Sequence, residues 1–385
     1  MKIKDIVTFV SKSITPQKGV TYNLYSLPSF DEGKTFEVLD GADIQSNKYD
    51  VPNKCILFNK LNVRFKRVWR IDSHDENKIA STEFLPLVVD EDVVDFQYCY
   101  YLLISDKITN YLCGQNTNTS GSHKRIDPDN FLNIEIKLPK MSIQRQIGKT
   151  LSALDRKIVL NKQINDNLEA MAKQLYDYWF VKFDFPNEEG KPYKSSGGAM
   201  VYNEKLKREI PQGWDVVNYM SLFGIGNGQT IPQTNGKIPA YGGNGVVKMI
   251  AEANYSPCVI IGRVGANCGS IHYSKVPCWV SDNAIAVCPL NINWLPFVYY
   301  SLSLYDLSKN KGGSSQPLIT HATLKNLFFP FSNATIDKYA NIANAIHQMI
   351  HKRQNETVTL TKQRDELLPL LMNGQATVNY HLSDD

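Results

Sequence analysis

The chain is short of the features that announce a chemistry. Its seven cysteines are an odd number with no Cys-x-x-Cys pair, which argues against a disulfide framework and against a zinc ribbon. Cys258, Cys268, Cys278 and Cys288 fall ten apart, but successive strands of a meander give that spacing too. A metal site would need all four to converge, and no metal is expected. No apolar run approaches the ~20 residues of a membrane-spanning helix. The basic start, MKIKDIVTFVS, has too short an apolar stretch for a signal peptide, so a cytoplasmic location is expected. Charge of one sign is scarce as well: 42 Lys and Arg face 38 Asp and Glu, for a net charge of +4. Any basic surface must therefore be local. The seven histidines form no HExxH or similar cluster, and no GxxxxGK[ST] loop marks an ATP site.

What is present is a long periodicity. Ile147, Leu151, Leu154, Ile158, Asn161, Asn165, Leu168, Ala172, Leu175 and Trp179 step alternately by four and three. That is a heptad seam, free of Pro and of Gly after Gly148, and it predicts one long helix. Tyr339, Ala343, Ile346, Ile350, Arg353, Thr357, Leu360, Arg364, Leu367 and Leu371 keep the same register 192 residues later. Both seams are apolar at their ends and polar in the middle. Asn161 and Asn165 would oppose Arg353 and Thr357 in a parallel or an antiparallel pair, so these layers fix register but not direction.

At 385 residues the chain exceeds one comfortable core. Residues 1–140 read as a mixed α/β domain, with a strand-like basic stretch at Cys55–Ile71 and an aromatic helix at Phe96–Leu112. Ser142 is a candidate N-cap for the first long helix (141–185), which should end near Phe185-Pro186. A Gly/Ser-rich linker follows at 186–209, then a second domain of short strands and turns at 210–332. Thr335 can cap the second long helix (333–374), with Pro369 in its last turn and Asn373-Gly374 as its stop; 375–385 is a tail. The segments 121–139 and 313–330 each run from a Gly-Ser loop into an apolar strand ending in Pro, and each follows an aromatic helix and a polar loop. The order is domain, helix, domain, helix: an internal duplication with pseudo-two-fold character.

These motifs resemble a known family. LNKQINDNLEAMAKQLYDYWFVKFDFP with GKPYKSSGGAMVYNEKLKREIPQGW, and RDELLPLLMNG (Arg364–Gly374), are similar to the central and C-terminal regions of the specificity (S) subunit of type I restriction–modification enzymes. SHKRIDPDNF and GGSSQPLI resemble the closing loops of that family's two target-recognition domains. No counterpart of IPQGW precedes Met1. The resemblance implies two α/β (α+β) target-recognition domains separated by two helices in an antiparallel coiled coil. It makes Leu151, Leu154, Ile158, Asn161, Asn165, Leu168 and Leu175 pair with Ile346, Ile350, Arg353, Thr357, Leu360 and Leu367. It also implies double-stranded DNA, two modification (M) subunits and two restriction (R) subunits as partners. S-adenosylmethionine, ATP and Mg would bind those partners, and no cofactor would bind this chain.

The residues agree with an absence of catalysis. FGIGNG (Phe223–Gly228) places Phe one residue before the first Gly, whereas the FxGxG loop of methyltransferases places it two before, and no [DNS]PP[FY] motif follows. A PD…ExK-like string at Pro128-Asp129 and Glu135-Ile136-Lys137 leaves too short a gap for carboxylates to converge from neighbouring strands. Duplex binding instead needs Arg or Lys on phosphates and a few side chains at base edges. The candidates are Arg64, Lys66, Arg67 and the loop Ser122, His123, Lys124, Arg125 in the first domain. In the second they are Tyr241, Asn244, Lys248, Arg263, Lys309, Lys311, Ser314, Ser315 and Gln316, with Arg263 the sole arginine between Ile210 and Ser332. Each helix, at about 38 residues and roughly 57 Å, would set half-site centres about 10–12 base pairs apart. Two rivals remain: a coiled-coil scaffold or DNA-binding protein outside restriction–modification, and a fused methyltransferase or nuclease.

Overall fold

The structure is a computed structural model and describes residues 1–115, 125–305, 307 and 318–378. It divides into two compact units, Met1–Leu160 with Glu356–Asp385, and Asn161–Asn355.

Among the described residues the first unit contains nine strands: β1 (Val7–Phe9), β2 (Ser13–Ile14), β3 (Thr21–Tyr25), β4 (Glu37–Asp40), β5 (Lys48–Asp50), β6 (Lys54–Asn59), β7 (Val68–Asp72), β8 (Lys78–Ala80) and β9 (Phe84–Val89). Its helices are α1 (Leu27–Asp31), α2 (Phe96–Leu103), α3 (Asp106–Gln115), α4 (Pro128–Leu132) and the start of α5 (Met141–Tyr176). A four-stranded antiparallel sheet has the order β1-β9-β6-β7, and a five-stranded sheet has the order β2-β5-β8-β3-β4 with β3 and β8 parallel. β6 is buried from Cys55 to Asn59, as a central strand covered on both faces requires. The aromatic stretch after it is two helices, because Ser105 breaks the run and bonds back to Leu102 O. The Asp95 carboxylate accepts from Tyr98 N at 2.9 Å and caps α2.

The second unit holds β10 (Met200–Asn203), β11 (Arg208–Pro211), β12 (Asp215–Asn218), β13 (Phe223–Asn227), β14 (Ile238–Gly242), β15 (Gly245–Ile250), β16 (Cys258–Gly262), β17 (Ile271–Ser274), β18 (Trp279–Val280), β19 (Ala284–Pro289) and β20 (Phe328–Phe331). Its helices are α6 (Leu295–Ser303), α7 (His321–Lys325) and most of α8 (Asn333–Met372). The frame of the first unit recurs. The sheet β13-β19-β16-β17 repeats β1-β9-β6-β7 strand for strand, and the parallel pair β14/β18 repeats β3/β8. α6 and α7 stand where α2 and α4 stand in chain order. In both closing segments a short helix, α4 or α7, intervenes before the apolar stretch, so neither is a plain strand.

In the first unit Asp155 of α5 bonds Arg364 of α8, and Lys157 lies 3.6 Å from Glu356, so rising numbers on one helix meet falling numbers on the other. In the second unit the Tyr339 hydroxyl donates to Ala172 O at 3.3 Å. The two helices pack antiparallel. No seam residue named above is exposed; Leu151, Asn161, Leu168, Ala172, Tyr339, Ala343 and Ile350 are buried.

The helix ends differ from the sequence expectation. α5 starts at Met141, so Ser142 lies inside its first turn, where Lys140 O accepts from Ile143 N and Gln144 N. At its other end α5 gives way at Asp177–Val181 to a wider π turn, nine residues before Pro186. The wider turn lets Tyr176, Trp179 and Phe180 all enter the second unit's core. Ser332 takes the expected role of Thr335, accepting from Thr335 N at 3.4 Å. The Gly/Ser-rich stretch is folded as well. Asp184 accepts from Ser195 N and Oγ, both at 2.7 Å, and Phe185 stacks on Tyr193 and Trp214. Gly198 is needed there, because a Cβ would stand 2.5 Å from the Tyr193 ring.

Candidate nucleic-acid interface

In the first domain the candidate cations gather on the turn that joins β6 to β7. Arg64 and Arg67 both lie over the Phe65 ring, each 4.8 Å from its centroid. Most of this basic charge is already matched. Arg67 forms a bidentate pair with Asp31 at 2.7 and 2.8 Å, which lowers the Asp31 carboxyl and raises the guanidinium. Lys66 contacts Asp106 at 2.5 Å, and Arg125 grips Glu83 at 2.6 Å. Arg125 also pairs with Leu61 through a backbone bridge, which brings the closing segment beside the β6–β7 turn. Ser122, His123 and Lys124 lie outside the described residues. The open groove lined by Asp50, Asp75 and Glu76 is acidic and suits a polyanion poorly.

The second domain has a different arrangement. The tight β14–β15 hairpin presses its turn onto the end of β16: a Cβ on Gly243 would stand 3.7 Å from the Gly262 Cα, and Ser270 Oγ donates to Gly243 O. Gly262 must lack a side chain, since a Cβ would sit 2.5 Å from Asn267 O and 2.6 Å from Ser270 Oγ. Exposed Asn244 is thereby set beside the segment that carries Arg263. Lys248 donates to Pro232 O at 2.6 Å, and the Tyr241 hydroxyl turns inward to Tyr273 O at 3.4 Å, so both stabilise the hairpin and its flank. Burial raises the Tyr241 hydroxyl accordingly. Lys309, Lys311, Ser314, Ser315 and Gln316 lie outside the described residues.

Unsatisfied polar atoms concentrate here. Among the described residues six buried side-chain atoms have no hydrogen-bond partner, and three of them are Arg263 Nε, His272 Nε2 and His321 Nε2. His272 stands on β17 opposite Ile260 of β16, and His321 opens α7, two residues after Ile319, whose N–H bonds Arg263 O. Desolvation lowers the pKa of His272, which disfavours the charged ring. Buried donors and acceptors left unpaired are uncommon, and three of them fall on the segments that converge at the end of β16.

Sequence reasoning missed Lys60, Ser270, His272 and Asn283. The signal was present in CILFNK (55–60) and CVIIGR (258–263), which align through their first cysteines. It fell outside the helix register and the closing loops, where the repeat is plainest. Cys258, Cys278 and Cys288 do share one core cluster, with the sulfurs of Cys258 and Cys278 3.8 Å apart. Among the described residues no group of three or more His, Cys, Asp or Glu is arranged to hold a metal ion.

Comparison with known proteins agrees with this duplicated frame. The family model for the type I restriction modification DNA specificity domain matches twice, over residues 1–170 and 211–366. The MjaIX specificity subunit of Methanocaldococcus jannaschii is 24% identical over 79% of this chain and 74% of its own length. A putative MjaX specificity subunit from the same organism is 23% identical over 98% of this chain and 93% of its own. In fold, the chain is similar to the crystal structure of a type I system S subunit from M. genitalium, with a TM-score of 0.63 at 17% identity, covering 99% of this chain and 96% of that one. A protein in which one family model matches both halves, and whose halves repeat one sheet order on paired antiparallel helices, belongs to the type I restriction–modification specificity subunits, the non-catalytic members of those systems.

Proposed function

We propose that the chain reads a bipartite, asymmetric site in duplex DNA, one domain per half-site, and that two modification and two restriction subunits assemble on its helices. The domains would run over residues 1–140 and 210–332, joined by the helices at 141–185 and 333–374. The observation that carries this reading is one frame built twice with different side chains at matching positions: Lys60 against Arg263, Trp69 against His272, Glu83 against Asn283. Like frames suit like half-sites, and unlike side chains imply unlike bases. Arg64, Arg125, Asn244 and Arg263 are the described candidates best placed for DNA. Methyl transfer, ATP use and Mg binding belong to the partners in this reading, and the complex works in the cytoplasm.

The test is co-expression with the modification subunit encoded beside it, followed by mapping of methylated adenines across the host genome. A split motif of two unlike halves around a fixed gap supports the proposal. Methylation without sequence preference, or a single continuous motif, would contradict it.

A further inference from the structure

We propose that Lys60 and Arg263 are a matched pair of DNA-contacting cations, one at the same backbone position of each domain. The proposal rests on the bipartite reading above and names a contact residue in each half. Each cation directly follows the central strand of its four-stranded sheet, β6 or β16. Lys60 N donates to Glu83 O, and its carbonyl accepts from Ile126 N, both at 2.9 Å. Arg263 N donates to Asn283 O, and its carbonyl accepts from Ile319 N, both at 3.0 Å. The next residue then makes a backbone bridge to the closing segment, Leu61 to Arg125 and Val264 to Leu318. Three chain segments thus hold one position in the same way in both domains, and in both that position carries positive charge.

The surrounding backbone is braced by different means to the same end. Asn59 accepts from Leu61 N at 2.8 Å through Oδ1 and donates to Leu61 O through Nδ2. Gly262 does the equivalent by letting the hairpin and Ser270 close directly onto the strand end. A surface lysine with no task would not need its neighbouring backbone so fixed.

Charge pairing separates these two residues from their neighbours. Lys66, Arg67 and Arg125 each face a carboxylate, whereas Lys60 makes no ion pair or side-chain hydrogen bond among the described residues. Arg263 makes no ion pair among them either, and its Nε is buried without an acceptor. The terminal nitrogens of this half-buried guanidinium make no hydrogen bond among the described residues, which leaves them for an acceptor from outside, such as a phosphate oxygen or the edge of a guanine. The shared position lies beside the closing segment of each domain, where the unpaired His321 also sits.

The experiment uses the whole chain in complex with its modification subunit, and a duplex carrying the motif found by adenine mapping. Lys60→Gln and Arg263→Gln keep side-chain length and remove charge, and thermal unfolding verifies that each variant is folded. Each variant should weaken binding by about tenfold or more at physiological salt. Loss of a phosphate contact would also make the salt slope shallower by about one, and loss of a base contact would relax a single position. Any relaxed positions should fall in one half of the motif for Lys60→Gln and in the other half for Arg263→Gln. If either variant folded but bound within about twofold of wild type with an unchanged methylome, the pairing would be wrong. Relaxation of the same half by both variants would overturn it equally. A wild-type complex with no motif-dependent binding would instead sink the bipartite reading, and this proposal with it.

Discussion

The two domains dock onto their helices at equivalent places with opposite chemistry. In the first, the Tyr101 hydroxyl donates to Asp155 of α5 at 2.5 Å, Arg364 of α8 reaches the same carboxylate at 3.1 Å, and Arg70 of β7 stands 3.8 Å away. In the second, Tyr300 and Tyr273 bond the two ring nitrogens of His347 on α8, the former at 3.1 Å. The positions correspond: His347 stands 192 residues after Asp155, as Tyr339 stands after Ile147. Tyr273 faces Val259 on β16 as Arg70 faces Ile56 on β6. One junction is a charged network, and the other is neutral at its centre. The difference shows that the buried tyrosine hydroxyls at each junction are given a partner on the helices, and that either a charged or a neutral group can supply it.

Removing the hub of each network separates the two. Asp155→Ala strands two guanidinium groups and a phenol that are only partly exposed, and should destabilise the first unit by about 2–3 kcal/mol. The urea midpoint of the chain measures it; a shift under half that size would mean water replaces the carboxylate readily. His347→Phe keeps an aromatic ring, slightly larger, but leaves the Tyr273 and Tyr300 hydroxyls without their partner, at a cost of about 1–2 kcal/mol.

The neutral junction carries its own sensitivity to acid. Burial, followed by the charge of Lys275, pushes the pKa of His347 down to about 3. Between pH 6.5 and about 3 the unfolded chain therefore binds a proton that the folded chain refuses. Stability should fall as pH drops through that window, by up to about 1.4 kcal/mol per pH unit. Half-buried Glu169, which accepts from Tyr299 and has its carboxyl raised by burial, acts in the other direction above its ordinary range. The difference between wild type and His347→Phe isolates the histidine. Identical pH profiles for the two would show that His347 titrates normally.

The smallest effect is at the surface. Asp31→Asn releases Arg67 from its bidentate pair at an exposed edge, and should cost less than about 1 kcal/mol. It should also strengthen binding to duplexes that lack the motif, because one more cation becomes free. Unchanged non-specific binding would place Arg67 away from the DNA.

The legible parts of this molecule are those with a long period. Ten seam positions at 3.5-residue spacing revealed each helix, and none of them is exposed. The helix ends were less legible, because Ser142 and Thr335 look like caps while Lys140 and Ser332 take the terminal bonds. The shared sheet order was harder still. Its strands are two to six residues long, and only register shows that Lys60 answers to Arg263. Arg263 stood out as a lone arginine between glycines, whereas Lys60 was one lysine among many. Pairing decided the rest: Arg67 and Arg125 read as free cations in sequence, yet each is matched by a carboxylate from a distant helix or turn.

The central claim is that each domain reads its own half of the site. It is tested most directly by replacing residues 1–140 with the first domain of another specificity subunit and mapping methylated adenines in the host. The account predicts that one half of the motif changes while the other half and the gap between them stay as they were. A change in both halves, or in neither, would contradict it.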